Sequence, residues 1–193
     1  MPLLTCLFAG AFGGQPDNLI DALIKKMSEI EEFSISESFN IIKIQGRQLG
    51  VTEEQLWTMG YGSKNIHLIM NVIYTFNYVP AYVNNLPQID HIFPHSLLRE
   101  IKKTNTETGR PVMKYREPER NQLANCMLLT MGENGPGGKW DQSPDKWFAK
   151  QDEEYLEKHL IPNDQTLWKL ENFEEFIAAR KCLMKDKLKA LLI

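Results

Sequence analysis

In the run Gln88-Ile89-Asp90-His91-Ile92-Phe93-Pro94-His95, a carboxylate and an imidazole stand side by side at the end of a short apolar stretch, with a proline three residues after the first histidine. Downstream lie Asn125, in Ala124-Asn125-Cys126-Met127-Leu128-Leu129, and Asn134, in Gly132-Glu133-Asn134-Gly135. Hydrolysing a phosphodiester requires that a water be deprotonated, that charge growing on the phosphate be neutralised, and that the leaving oxygen be stabilised. An imidazole with an ordinary pKa of about 6.5 can take the proton near neutrality. One divalent cation can supply much of the rest as a Lewis acid. Asp-His, then Asn, then Asn is a set of groups that fits this chemistry.

One role is expected of each group. His91 is the expected general base, with Asp90 and Asn134 as metal ligands through a carboxylate and an amide oxygen. Hard oxygen donors suit Mg²⁺ or Mn²⁺ better than Zn²⁺, which favours imidazole and thiolate. Neighbouring residues of a strand face opposite ways, so a local bend is needed at Asp90-His91, and Pro94 fits one. Asn125 is expected to hold the loop that carries His91 without touching the metal. Each residue also has a plainer explanation. An Asp-His pair serves surface ion pairs and turns, Asn125 can cap a turn, and Asn134-Gly135 is a good turn dipeptide. Their order and spacing together carry the catalytic expectation.

Phosphate-contacting residues are sought among the bases nearby. Residues 99–120 hold seven basic and four acidic side chains inside a chain of net charge -3. A positive segment beside a metal site is where a nucleic-acid backbone would lie, although a solvated charged loop reads the same way from composition. Lys114, Arg116 and Arg120 from this segment, with His95 and Lys139, are the expected nucleic-acid contacts. Tyr115 is a candidate for stacking on a base. His67 and His159 are expected to be structural or solvated.

The elements that must position these groups are mostly helical. Residues 1–15 read as a short buried helix closed by Gly13-Gly14. Leu19, Leu23, Met27 and Ile30 recur at helical spacing after Pro16-Asp17-Asn18. Phe39 to Ile44 reads equally as strand or helix. Thr52-Glu53-Glu54-Gln55 is a capping-box pattern, and Ser63 is expected to cap a helix whose inward face is Ile66, Ile69, Ile73 and Phe76. Pro80 to Pro87 reads as a linker. The apolar runs ending at Asp90-His91 and spanning Cys126–Thr130 read as two strands, and Ser143-Pro144-Asp145 starts a helix with proline at its first position. Near the end, Phe173, Phe176, Ile177, Arg180, Met184, Leu188 and Leu191 share a helical face.

The expected organisation is one domain over 1–193. It comprises a helical layer over 1–80, a core with the charged insertion 99–120 over 81–150, and C-terminal helices over 151–193. The fold class is α+β, mostly helical, with a ββα-metal arrangement packed against the terminal helices. Hydrophobic content of 42% and charged content of 24% are ordinary for a globular chain. Three cysteines with no C-x-x-C pair argue against a disulfide framework and for a reducing compartment. No stretch approaches the ~18 apolar residues of a membrane span, and the apolar start lacks a basic leader, so a cytoplasmic protein without membrane contact is expected.

Asp90-His91-Ile92-Phe93-Pro94-His95-Ser96-Leu97-Leu98, Asn125 to Thr130, and Asn134 to Lys139 resemble the HNH nuclease motif, in the version with Asp-His and a final Asn. Phe12 to Asn18, Pro87-Gln88, His159 to Asp164, Leu167-Trp168, and Phe173 to Ile177 with Arg180 extend the resemblance. Over most of the chain it is similar to the C-terminal nuclease domain of GmrSD-type restriction endonucleases, which attack modified phage DNA. The resemblance implies Mg²⁺-dependent (or Mn²⁺-dependent) DNA cleavage in a phage-defence system. It also implies a nucleotide-hydrolysing N-terminal half or subunit, of which these residues carry no recognisable stretch. Two alternatives remain open: a catalytically silent HNH-fold module that binds DNA or regulates, and an HNH nuclease acting on RNA.

Overall fold

The computed structural model describes residues 2–78, 87–140 and 142–192. The expected linker from Pro80 lies outside these residues, except for Pro87. The chain forms two compact units, Met1–Leu56 with Lys189–Ile193, and Trp57–Leu188.

The first unit is helical. Helix α1 (Pro2–Phe8) ends earlier than expected, because the chain turns through Gly10 at φ +61°, leaving Phe12 exposed. In α2 (Asp17–Ser28) Leu19 is buried and Leu23 partly buried against a core of Cys6, Ala11, Ile42 and Leu49. The ambiguous stretch is a helix, α3 (Ile35–Ile44). Ser34 decides this locally: its hydroxyl accepts from Glu37 N at 3.2 Å, an N-cap bond that a strand would not use. The expected capping box opens α4 (Glu53–Trp57), with Thr52 N donating to Gln55 Oε1 at 2.9 Å and Gln55 N to Thr52 Oγ1 at 3.1 Å. Val51 N donates to Leu191 O at 3.1 Å, which ties the C-terminal turn into this unit.

The second unit is α+β. Its first helix, α5 (Ile66–Ile73), buries Ile66, Ile69, Met70, Val72 and Ile73. Two expectations fail here. The Ser63 hydroxyl accepts from Gly60 N at 2.9 Å instead of capping α5. Phe76 is 54% exposed, because Thr75 and Phe76 adopt φ of 52° and 57° and carry the chain off the helical face. Strand β1 (Pro87–His91) follows, then α6 (His95–Glu100). The charged segment is a small exposed hairpin of β2 (Lys102–Thr104) and β3 (Pro111–Met113), followed by α7 (Glu117–Asn121). Strand β4 (Cys126–Thr130) pairs antiparallel with β1, matching His91 to Cys126 and Pro87 to Thr130. Cys126, Met127, Leu128 and Leu129 are all buried, so β4 is an unbroken apolar run.

Helices α8 (Met131–Asn134), α9 (Pro144–Phe148), α10 (Glu153–Lys158) and α11 (Phe173–Leu188) complete the unit. The expected face of α11 is buried, with Phe173 and Phe176 meeting Phe93 edge-on at 5.2 and 4.9 Å between ring centres. Arg180 is fully buried and donates to four carbonyls: Ala124 at 2.9 Å, Cys126 at 2.7 Å, Leu160 at 3.2 Å and His159 at 3.0 Å. Those bonds fix the entry to β4 against α11. Among the described residues no helix is long and apolar enough to cross a membrane.

Candidate functional site

At the end of β1 the chain is pinned from three directions. The first pin is Asn125, fully buried, whose Oδ1 accepts from Phe93 N at 2.9 Å and whose Nδ2 donates to Phe93 O at 3.2 Å and Arg120 O at 2.7 Å. A backbone bond from Ile92 N to Asn125 O at 2.7 Å continues the ladder just past His91. Asn125 therefore does for residues 92 and 93 what a neighbouring strand would otherwise do, its backbone carbonyl serving Ile92 and its side chain Phe93, so that buried polar groups of the bend are satisfied.

The second pin is Lys139, whose side chain is wholly buried. Its ammonium donates to Asp90 Oδ2 at 2.7 Å and also to the His91 carbonyl. A buried charge needs such a partner. The loop delivering it is tight: Lys139 N donates to Glu133 O at 2.7 Å, and a Cβ on Gly138 would lie 2.1 Å from that oxygen. The third pin acts on the imidazole. His91 Nε2 is 2.9 Å from Asn121 Oδ1, and its ring stacks on Tyr61 with centroids 4.4 Å apart and 27° between planes.

Asp90 and Asn134 line one open groove of about 670 Å³ together with Tyr61, Ser63, His67 and Gln88. Asn134 Nδ2 reaches Gln88 Oε1 at 3.4 Å, and Gln88 and Asp90, two apart on β1, share a strand face. Tyr61 belongs to both neighbourhoods, lining the groove and covering His91, so it joins the two sides of the strand end. Burial lowers the His91 pKa from its ordinary value; Asn121 and the Asp90 carboxylate oppose that, while His95 and Lys139 reinforce it.

The proposed phosphate contacts separate into two groups. Lys114 and Arg116 stay near the surface, Lys114 in an ion pair with Glu174 at 3.1 Å. Lys139 and Arg120 do not, and the expectation of phosphate contact is corrected for both. Lys139 is consumed internally as described. Arg120 is 5% exposed and donates to His95 Nε2 at 3.0 Å and Tyr115 O at 3.1 Å. His95 is half-buried with Nε2 occupied by that bond, and burial and Arg120 lower its pKa. Tyr115 is 2% exposed with its ring against Phe173, so it offers no face to a base. His159 is structural, fully buried with Nδ1 2.7 Å from the Tyr74 hydroxyl, while His67 is exposed.

Tyr61 and Asn121 escape sequence reasoning. The signal that could have found them is Gly60: a Cβ there would lie 2.1 Å from Asn121 O, so only glycine lets the 60–62 segment dock beside α7, with Tyr61 N donating to Asn121 O at 2.7 Å.

Asp90 and Asn134 bring a carboxylate and an amide oxygen to the lining of one groove, donor types that hard cations such as Mg²⁺ prefer. Among the described residues no group of three or more His, Cys, Asp and Glu side chains could hold a metal ion. No curated protein matches the chain. The family model described as GmrSD restriction endonucleases, C-terminal domain, matches residues 49–187, which include β1, β4 and every residue of the site. By that match the chain belongs to the family of C-terminal domains of GmrSD restriction endonucleases.

Proposed function

We propose that this chain is the nuclease module of a restriction system, hydrolysing DNA phosphodiesters by HNH-type chemistry with one divalent cation, Mg²⁺ or Mn²⁺. The observation that carries the reading is the convergence of Asp90 and Asn134 on one groove whose wall, Tyr61, also covers His91. Asp90 and Asn134 hold the cation in this reading, and β1, β4 and the helical segments after β4 serve as the ββα-metal arrangement. A cation bound there supplies Lewis-acid neutralisation of the phosphate and the leaving oxygen. His91 removes the proton from the attacking water. Asn125 keeps the His91 loop in place, and Lys139 holds the Asp90 carboxylate through Oδ2, which leaves Oδ1 for the cation. The exposed hairpin β2–β3 with Arg116 and Lys114 supplies positive charge to a DNA backbone. Choice among DNA targets is assigned to a nucleotide-hydrolysing partner domain or subunit, as the family resemblance implies.

A supercoiled-plasmid nicking assay with Mg²⁺, Mn²⁺ or EDTA tests this, comparing wild type with His91→Ala and Asp90→Ala. Cation-dependent nicking by wild type and loss in both variants is the expected result. Equal nicking by His91→Ala removes His91 from the mechanism. DNA binding without cleavage under every metal favours a silent module, and cleavage confined to RNA overturns the substrate assignment.

A further inference from the structure

An imidazole acts as a base through one nitrogen, and which one depends on what the other is doing. At His91 the geometry is specific. Nε2 lies 2.9 Å from an amide oxygen, Asn121 Oδ1, and an oxygen can only accept there. Were the proton on Nδ1, the Nε2 lone pair would face the oxygen lone pairs at hydrogen-bond distance, which is repulsive. Among the described residues Nδ1 has no hydrogen-bond partner, and it is not one of the buried unsatisfied atoms, so it remains open to a small molecule such as water. Tyr61, stacked on the ring at 4.4 Å, blocks the out-of-plane tilt that would break the Asn121 bond.

We infer, on the nuclease reading above, that Asn121 is a positioning residue that fixes His91 as the Nε2–H tautomer, so that Nδ1 takes the proton from the attacking water. In that step the water oxygen bonds to phosphorus and its proton passes to Nδ1. The bond from phosphorus to the leaving ester oxygen breaks with its electron pair on that oxygen, which then takes a proton from solvent. Asn121 touches neither substrate nor water and acts only through His91. Its backbone carbonyl, which receives Tyr61 N at 2.7 Å, is kept in any substitution, so the local docking survives removal of the amide.

The test has two independent readouts. In ¹⁵N-histidine spectra of the wild-type chain, with the His91 signals assigned by their loss in His91→Ala, the expected state is protonated Nε2 and bare Nδ1. A wild-type His91 protonated at Nδ1 overturns the inference, whatever any variant does. In plasmid nicking with Mg²⁺, Asn121→Ala should lower kcat by about 10–100-fold with KM unchanged, while its His91 signals show a tautomer mixture. Asn121→Asp restores an acceptor oxygen and should recover most of that kcat. Full kcat in Asn121→Ala together with an inactive His91→Ala overturns the positioning role and leaves the nuclease reading standing. Full activity in His91→Ala instead defeats the nuclease reading itself.

Discussion

Replacing Asn125 by alanine should unfold the site before it alters any group that touches substrate. The side chain is fully buried and makes three hydrogen bonds, to Phe93 N, Phe93 O and Arg120 O at 2.9, 3.2 and 2.7 Å. Each such bond contributes about 1 kcal/mol net, and leaving the buried Phe93 N–H without an acceptor costs a further ~1–3 kcal/mol. The sum is about 4–6 kcal/mol. With ~2–4 °C of Tm per kcal/mol for a chain of this size, the melting temperature should fall by roughly 8–24 °C. Backbone bonds at this position, Asn125 N to Gln122 O and Ile92 N to Asn125 O, survive the change, so loss beyond those side-chain bonds is not expected. Because residues 92 and 93 follow His91 directly, nicking measured well below the new Tm should also fall. Asn125→Asp should be no better at neutral pH, since its second oxygen would face two carbonyls. Urea unfolding gives the decisive number. A loss under ~1 kcal/mol would mean the three bonds are not made in solution and would refute the account of the bend.

Gly60→Ala should destabilise the second unit and lower nicking together, because its Cβ would lie 2.1 Å from Asn121 O; thermal melts and nicking on the same preparation check it. In Lys139→Met, the largely buried Asp90 carboxylate and the His91 carbonyl lose their shared ammonium, which should cost about 3–5 kcal/mol in metal-free buffer. The gain in Tm on adding Mg²⁺ should be larger than in wild type, because no ammonium then competes for the carboxylate; an equal or smaller gain contradicts that competition. Burial pushes the His159 pKa down to about 3. The unfolded chain therefore binds this proton below about pH 6.5, before the native state does, so its contribution is full above that pH and declines as pH falls toward 3, by up to ~1.4 kcal/mol per pH unit. His91 and His95, also shifted down, act with the same sign. Denaturant unfolding followed from neutral pH down should show that slope, and His159→Leu should flatten it.

The elements legible in the sequence are those whose cause lies within a turn or two of chain. The stripe on α2, the Thr52–Gln55 box, the Pro144 start of α9 and the buried face of α11 follow from helical periodicity and capping groups three or four residues apart. Phe39–Ile44 stayed ambiguous because a short apolar run fits either period, and a single hydroxyl, on Ser34, decided it. Asp90, His91, Asn125 and Asn134 could be singled out by order and spacing, but the bonds that tie the Asn125 side chain to Phe93 and Arg120 come only from the folded chain.

What the sequence could not supply is the environment of each charge. Lys139 and Arg120 look like any other basic residues of the chain, and basic side chains are usually solvated. Tertiary structure buried both: Lys139 against Asp90, 49 positions away, and Arg120 against His95, 25 positions away. Asn121 and Tyr61, each 30 positions from His91 and on opposite sides of it in the chain, became its neighbours only once those segments had folded back and a glycine had let two backbones close to contact. The residue types set which chemistry is available, because donor atoms and proton affinities belong to side chains. Which nitrogen is bare, which carboxylate oxygen is engaged and which cation is buried depend on contacts between distant segments, and those exist only in the folded chain.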